Sequence, residues 1–245
     1  MNDFTLEQIQ EIVHKLERSE LSGANLSGSN LIRANLFGAS MNEANLHQAN
    51  MRGANLGSAK LRQADLSEAK MDPVYLIRAD LTGANLQNAN LQNAVMHEAN
   101  LTEANMRKTY LINTRLNGAN LRKTDLSGAV MDSADLTRAD LRGANLQNAN
   151  LQNAVMHEAN LTDANMRKTY LINTRLNGSN LRNADLSGAV MDSADLKRAD
   201  LRGANLQNAN LQNTDLTNTK YDRDTQWPKN FDPETAGAIL ITMSK

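Results

Sequence analysis

The residue types best suited to metal binding are sparse in this chain, which has four histidines and no cysteine. The histidines are His14, His47, His97 and His157. His97 and His157 occupy equivalent places in two copies of a duplicated segment. A zinc ion needs nitrogen ligands about 2.0–2.1 Å away, so residues held in separate copies do not converge on one ion. We therefore predict no metal site.

Paired carboxylates are the next candidates, because they can carry out general acid–base work. Asp65, Asp125 and Asp185 each stand one duplication length from the next, at the same position of a repeat, which favours a structural turn role. No glycine-rich phosphate loop or serine nucleophile motif occurs in the sequence. Duplication would give an enzyme two sites or a broken one, whereas it only lengthens a rod. We predict no catalysis and no cofactor.

A five-residue period positions nearly all of these side chains. Every fifth residue from Leu21 to Leu216 is Leu or Met, and a small residue or Val stands two places before it. A period of five does not place the leucines on one face of an α-helix. In a continuous strand it would place successive leucines on opposite faces of the sheet. The chain must therefore bend once per repeat, with Leu and the small residue facing inward. Outward Asn, Asp, Gly and Ser suit such turns.

The triplets Ala24-Asn25-Leu26 and Ala139-Asp140-Leu141 are typical of this pattern. They resemble the motif of the pentapeptide-repeat family: a small residue, Asp or Asn, Leu or Phe, then two variable polar residues. The resemblance covers about four fifths of the chain. It implies an all-β fold, a right-handed quadrilateral β-helix with four pentads per coil and about ten coils. On this model the outward Asn and Asp residues stack in ladders that hydrogen-bond from coil to coil.

A longer period is superimposed on the first. Residues 81–140 and 141–200 agree at all but six positions. The differences are Thr82/Arg142, Glu103/Asp163, Ala119/Ser179, Lys123/Asn183, Thr124/Ala184 and Thr137/Lys197. The duplicated unit is twelve pentads, which makes three four-sided coils or four triangular ones. The duplication thus predicts a whole number of coils without choosing between these shapes.

Short segments flank the repeats, and we divide the chain into 1–18, 19–220 and 221–245. An amphipathic pattern over residues 5–18 predicts an N-terminal helix that caps the first coil. Asp232-Pro233 could begin a short C-terminal helix. The stretch from Trp227 to Pro233 looks like the tail of many cyanobacterial pentapeptide-repeat proteins. Candidate residues for a cap, or for a homodimer contact through a terminal coil, are Trp227, Phe231, Ile239, Leu240 and Ile241.

Composition limits the location and the kind of core. Aromatic residues make up only 3% of the chain, too few for a conventional bulky core. No apolar run approaches the length of a membrane span, and the first residues lack the pattern of a signal peptide. We expect a cytoplasmic protein without a membrane span.

Outward positions supply the candidate contacts with a protein partner. Tyr75 replaces the usual short polar residue at the segment Asp72-Pro73-Val74, the one marked lapse of the motif. Tyr110 and Tyr170 are equivalent residues of the duplication and should also face outward. A column of arginines completes the set: Arg122, Arg142, Arg182 and Arg202.

The sequence therefore favours a non-enzymatic solenoid whose rigid surface binds an unidentified protein, as a scaffold, spacer or regulator. The alternative comes from the family, in which topoisomerase-protecting members imitate DNA and occupy its site on gyrase. Residues 21–216 carry 20 Lys plus Arg against 18 Asp plus Glu, so this rod lacks the negative charge that imitation needs. Near-neutral charge and few aromatics also weigh against nucleic-acid binding.

Overall fold

The computed structural model describes residues 16–242, and its repeats stack as successive coils. Parallel backbone bridges join residues twenty apart, for example Asn85 to Asn105 and Asn145 to Asn165. One such ladder runs through Glu20, Ser40, Lys60, Asp80, Asn100, Asn120, Asp140, Asn160, Asn180, Asp200 and Lys220. Four pentads therefore complete each coil, which confirms the four-sided arrangement. The described residues contain no helix with the length and apolar character of a membrane span.

The backbone N–H groups of one pentad show why the period is five. Leu146 and Asn148 donate to carbonyls of the following coil at 2.7 and 3.0 Å, and Asn145 donates to the preceding coil at 2.9 Å. Ala149 N–H closes the turn on the Leu146 carbonyl at 2.9 Å. Gln147 N–H donates to the side-chain Oδ1 of Asn145 at 3.2 Å. All five donors are satisfied, as a backbone packed against a core requires.

A regular corner is a β-turn whose third residue has positive φ, as at Asn148 with φ of 57°. Glycine adopts this conformation without steric cost, and Gly143 does so with φ of 65°. Many corners instead carry long side chains, such as Glu98 and Lys168. A left-handed conformation costs such residues about 1–2 kcal/mol each. The inter-coil hydrogen bond donated by the same residue helps to offset that cost.

The core is a narrow column of Leu and Met walled by the small residues. Nearly all of these side chains from Leu31 to Leu206 are inaccessible to solvent. Where threonine replaces alanine, its buried hydroxyl donates to a backbone carbonyl, as from Thr174 to Leu151 of the preceding coil at 2.8 Å. Thr124 donates to Leu101 at the same distance, although its duplicate position holds Ala184. A carbonyl within reach thus lets the small position hold a threonine hydroxyl at these sites.

At the N-terminal side, the solenoid includes residues 16–18, which the sequence predicts as part of a capping helix. Residues 5–15 of the expected capping helix lie outside the described residues. Within its last three residues, Arg18 has φ of 55° and donates its N–H to the Phe37 carbonyl at 2.9 Å. Leu16 to Arg18 therefore belong to a turn of the solenoid and not to a helix, because Arg18 already takes part in inter-coil bonding.

The solenoid also extends beyond the predicted boundary at residue 220. Strand β1, Lys220–Tyr221, pairs in parallel with strand β2, Ile239–Leu240. Gln226 bridges Asn205, one residue beyond the regular spacing of twenty. The chain thus makes part of another coil, with one inserted residue, before its tail folds back.

The predicted C-terminal helix is wrong. After Asp232 the chain forms consecutive turns, and the Asp232 carboxylate accepts from the Glu234 N–H at 3.1 Å. The Ile239 and Ile241 N–H groups then donate to carbonyls of the last coil, both at 2.7 Å. Backbone pairing with a distant segment takes precedence over the local helix signal of Asp-Pro.

Aromatic side chains of the tail cover the end of the core. Trp227 packs edge-on against Tyr221, with ring centroids 5.6 Å apart, and stacks on Phe231 at 5.3 Å. Trp227 and Phe231 both contact the buried core cluster. Ile239 and Leu240 stay exposed, so apolar side chains remain accessible at this end of the rod.

We predict that Ala149→Leu lowers the free energy of unfolding by about 1–3 kcal/mol, because Ala149 is fully buried and the wall has no room for a larger side chain. Urea unfolding followed by circular dichroism measures the change. Gln147→Leu places the same side chain on the outer corner of that pentad and serves as the control. Equal effects of the two substitutions would contradict the size restriction.

Candidate protein-interaction surfaces

Tyr110 and Tyr170 lie on one outward ladder, three coils apart, and 47% of each residue's surface is exposed. Each bridges an Asn on the preceding coil and a Val on the next, Val130 or Val190. The surroundings of the two tyrosines are therefore the same. We name each Tyr with its following Val a Tyr–Val patch.

The Tyr–Val patches lack a hydrogen bond that most pentads have. At Asn90 and Asn150 the side-chain Oδ1 accepts from the backbone N–H two residues later, at 3.1 Å in both cases. Tyrosine offers no acceptor at this place. A shallow groove of about 240 Å³ lies beside Tyr170, bounded by Gly128 and Asn148. At Tyr110 and Tyr170 an exposed ring therefore stands where most pentads have a hydrogen bond between an Asn or Asp side chain and the turn backbone.

Tyr75 belongs to a separate apolar cluster on the next ladder. It is 45% exposed, and Ile77 and Phe37 are exposed large apolar residues in the column beside it. The Phe37 ring lies over Gly57, where an added Cβ would approach the ring to 3.0 Å. Sequence reasoning missed Phe37 and Ile77. The signal was present, because Phe37, Gly57 and Ile77 are spaced twenty residues apart.

The motif lapse beside Tyr75 changes the backbone pairing only locally. The Asp72–Pro73 peptide bond is cis, and Gly53 N–H donates to the Pro73 carbonyl at 2.6 Å, one residue beyond the regular partner. Tyr75 itself retains both bridges, to Asn55 and Val95. The lapse is therefore accommodated within one corner.

The arginine column is partly neutralised by its own pentads. Arg142 chelates Asp140 through Nε, at 2.8 Å, and Nη2. Arg202 holds Asp200 through the same two nitrogens, at 2.8 and 2.5 Å. Within residues 16–242, Arg122 and Arg182 make no ion pair. The column thus presents an unpaired and a paired guanidinium on each side of Thr162.

The carboxylates beside the column respond to these arginines. Hydrogen bonding from Arg142 holds the pKa of Asp140 below its ordinary value, against partial burial. Burial would raise the pKa of Asp200, but hydrogen bonds from Arg202 and the charges of Arg202 and Arg182 lower it on balance. Both aspartates are therefore ionised at neutral pH, and neither is available as a general acid.

The histidines do not assemble a metal site in the part of the chain that the structure describes. His47 Nδ1 lies 2.8 Å from the Ser67 hydroxyl. His97 and His157 are on one column three coils apart, as expected from the duplication. No group of three His, Asp or Glu side chains within residues 16–242 has the geometry to hold a metal ion.

A family model described as pentapeptide repeats matches this chain in eight copies that together span residues 19–218. The chain belongs to the pentapeptide-repeat family. Its fold is accordingly a right-handed β-helical solenoid. Comparison with curated protein sequences gives no significant match.

Solved structures of the family give one informative likeness. HetL from the cyanobacterium Nostoc, described as involved in heterocyst differentiation regulation, is 29% identical over 89% of this chain and 97% of its own, with a TM-score of 0.51. A pentapeptide repeat protein from the Arabidopsis thaliana thylakoid lumen is 30% identical over 46% of this chain and 73% of its own, with a TM-score of 0.35. The fluoroquinolone resistance protein QnrB1 is 14% identical over 69% and 84%, with a TM-score of 0.32. The latter two superpose too poorly to inform function.

The polar ladders of this pentapeptide-repeat protein confirm the predicted amide stacking. Asn105 Nδ2 donates to Asn85 Oδ1 at 2.9 Å, and Asn85 Nδ2 donates to Asp65 Oδ1 at 3.0 Å. The duplicate residues Asn165 and Asn145 repeat the first bond at 2.9 Å. These ladders have a structural role, and the candidate contacts lie where other side chains replace them.

One substitution between the duplicated copies alters the titration of a carboxyl group. Lys197, which replaces the threonine of the first copy, lies 2.9 Å from Asp215. Hydrogen bonds from Lys197 and then Thr217 lower the pKa of Asp215 to about 2. Because the folded pKa is depressed, the associated stabilisation is present above about pH 4 and is lost as the pH falls towards 2.

We predict that Lys197→Thr raises the pKa of Asp215 towards its ordinary value. The fold tolerates threonine here, since Thr137 occupies the equivalent position. Carboxyl ¹³C shifts followed by NMR against pH measure the change. The pKa of Asp125, which is lowered by contacts with Ser127 and Arg107 elsewhere on the rod, should stay constant. An unchanged Asp215 would show that Lys197 does not hold it.

Proposed function

We propose that this chain is a non-enzymatic scaffold or regulator that binds a protein partner through its two Tyr–Val patches. The observation that carries the proposal is the repetition of Tyr110 at Tyr170, with the same ladder neighbours and the same exposed fraction. Tyrosine is enriched where interfaces concentrate their binding energy. The similarity to HetL, which is involved in regulating differentiation, favours a regulatory partner over a purely mechanical role.

The local energetics support a binding role for the tyrosines. A side-chain acceptor at this position satisfies a backbone N–H, and such hydrogen bonds contribute about 0.5–1.5 kcal/mol each. Tyr110 and Tyr170 forgo that contribution and expose apolar surface as well. Departures of this kind from a locally consistent pattern are typical of functional positions.

The spacing of the patches determines the kind of partner. Three coils at the inter-strand spacing separate Tyr110 from Tyr170 by about 14 Å. A partner that presents two matching apolar sites at this distance binds both, and the second contact forms at a high effective concentration. We infer a partner with its own internal repeat.

The DNA-mimic alternative receives less support. Acidic residues along the rod are frequently neutralised by arginine, as Asp125 and Asp185 are by Arg107 and Arg167 at 3.3 and 3.4 Å. The surface therefore does not present the continuous negative charge of a duplex. Gyrase is consequently the second candidate partner.

The combined substitution Tyr110→Asn and Tyr170→Asn tests the proposal without weakening the fold. Asparagine restores the turn acceptor found at Asn90 and Asn150, so we expect a gain of about 0.5–1.5 kcal/mol per site in the free energy of unfolding. Binding to the partner should nevertheless be lost. The partner is first captured with a photo-crosslinking amino acid at position 110 or 170, identified by mass spectrometry, and then titrated as a purified protein.

Matched controls use the opposite face and the other apolar cluster. A photo-crosslinker at Asn120 or Asn180 has the same sixty-residue separation but faces away from the patches. Tyr75→Asn removes a tyrosine of similar exposure from another ladder. Undiminished affinity of the double asparagine variant, or equal crosslinking from position 120, would refute the assignment.

A further inference from the structure

An arginine–glutamate ion pair occurs twice along the rod, sixty residues apart. At the third equivalent position the arginine is present but the glutamate is replaced by asparagine. Arg78 Nε donates to Glu98 at 2.7 Å, and Arg138 Nε donates to Glu158 at 2.7 Å. Sixty residues later Arg198 occupies the same column, but the residue one coil above it is Asn218. Arg198 makes no ion pair within residues 16–242.

Arg198 borders a surface cleft with a volume of about 490 Å³. Its walls include His157, Lys197 and Asn218, and Asn177 and Gly178 line it between them. A Cβ on Gly178 would meet only the Glu158 side chain, at 3.6 Å, so glycine leaves this space open. The cleft therefore lies where Gly178 has no side chain, next to the unpaired guanidinium of Arg198.

The cleft wall also has unused hydrogen-bonding capacity. His157 Nδ1 is shielded from solvent and has no partner among the described residues. A carboxylate in the cleft could accept a hydrogen bond from this nitrogen when it carries the ring proton, since buried polar atoms are normally paired. This atom gives a second indication that the cleft receives an acceptor group.

The other charges of the cleft are already balanced. Lys197 contacts Asp215 at 2.9 Å, and Glu158 is held by Arg138. The guanidinium of Arg198 is therefore the charge that remains available. A guanidinium matches a carboxylate through two parallel hydrogen bonds.

We propose that this cleft binds a carboxylate group, which takes on Arg198 the place that Glu98 and Glu158 take on Arg78 and Arg138. The ligand is an acidic peptide group, either a glutamate side chain or a chain terminus. Within the column of Arg78, Arg138 and Arg198 the site is confined to this end of the rod, because the two earlier arginines are occupied by glutamates of the chain itself. This proposal is independent of the Tyr–Val patches.

NMR of the arginine Nε–Hε resonances tests the site with two probes. N-acetylglutamic acid α-amide presents a side-chain carboxylate, and N-acetylglycine presents a terminal one. We expect at least one probe to shift the Arg198 resonance saturably while the Arg78 and Arg138 resonances remain unchanged. The responding probe identifies the source of the carboxylate.

Asn218→Glu supplies the missing carboxylate from within the chain. Glu98 and Glu158 adopt the same left-handed φ of 55°, so glutamate fits the backbone at position 218, where φ is 59°. In this variant the Arg198 resonance should resemble those of Arg78 and Arg138 and should not respond to either probe. Asn208→Glu adds the same charge at another corner with φ of 59° and should leave the response intact.

Three results would overturn the proposal. They are no shift of Arg198 with either probe, equal shifts of all three arginines, and a full response in the Asn218→Glu variant. Equal shifts would indicate general ionic association, and a response in the variant would place the bound carboxylate elsewhere.

Discussion

Backbone hydrogen bonds between residues of neighbouring coils determine the rest of this structure. The N–H groups of Asn145, Leu146 and Asn148 show the three bonds of a pentad, at 2.9, 2.7 and 3.0 Å. Because the turn and an Asn or Asp side chain satisfy the other two N–H groups, each pentad is complete only when a coil lies on both sides of it. The rod is stabilised by contacts between nearest neighbours, and its exposed ends are the places where the pattern must change.

The same bonds separate structure from function along the outward columns. Core Leu and Met and the small wall residues cannot vary in size, but outward side chains can change without loss of the ladder, as Tyr75 and Tyr110 show by retaining their bridges. A replaced Asn or Asp therefore loses one local hydrogen bond and gains an exposed side chain. The tyrosines stand out because they occupy positions that usually hold Asn or Asp. Arg198 stands out because the glutamate that pairs with Arg78 and Arg138 is absent beside it.

The period of five predicted the bends, the buried Leu column and the turn role of Asn and Asp. Four sides came from the family resemblance, because twelve pentads also divide into triangular coils. The cluster of Phe37, Gly57 and Ile77 was missed, although the twenty-residue coil implied by the family resemblance already makes these residues neighbours. The C-terminal helix was predicted wrongly because Ile239 and Leu240 pair with a strand nineteen residues earlier in the chain, which a local signal at Asp232 does not show.

Disulfide trapping measures the coil length directly, because the chain has no cysteine of its own. Cysteines at Asn100 and Asn120 replace residues that form a parallel bridge, and adjacent strands lie about 4.7–4.9 Å apart, within the 4.4–6.8 Å that a disulfide spans between Cα atoms. This pair should oxidise rapidly, whereas cysteines at Asn105 and Asn120, fifteen residues apart, should not. Rapid oxidation of the second pair and not the first would indicate a three-sided coil and contradict this account.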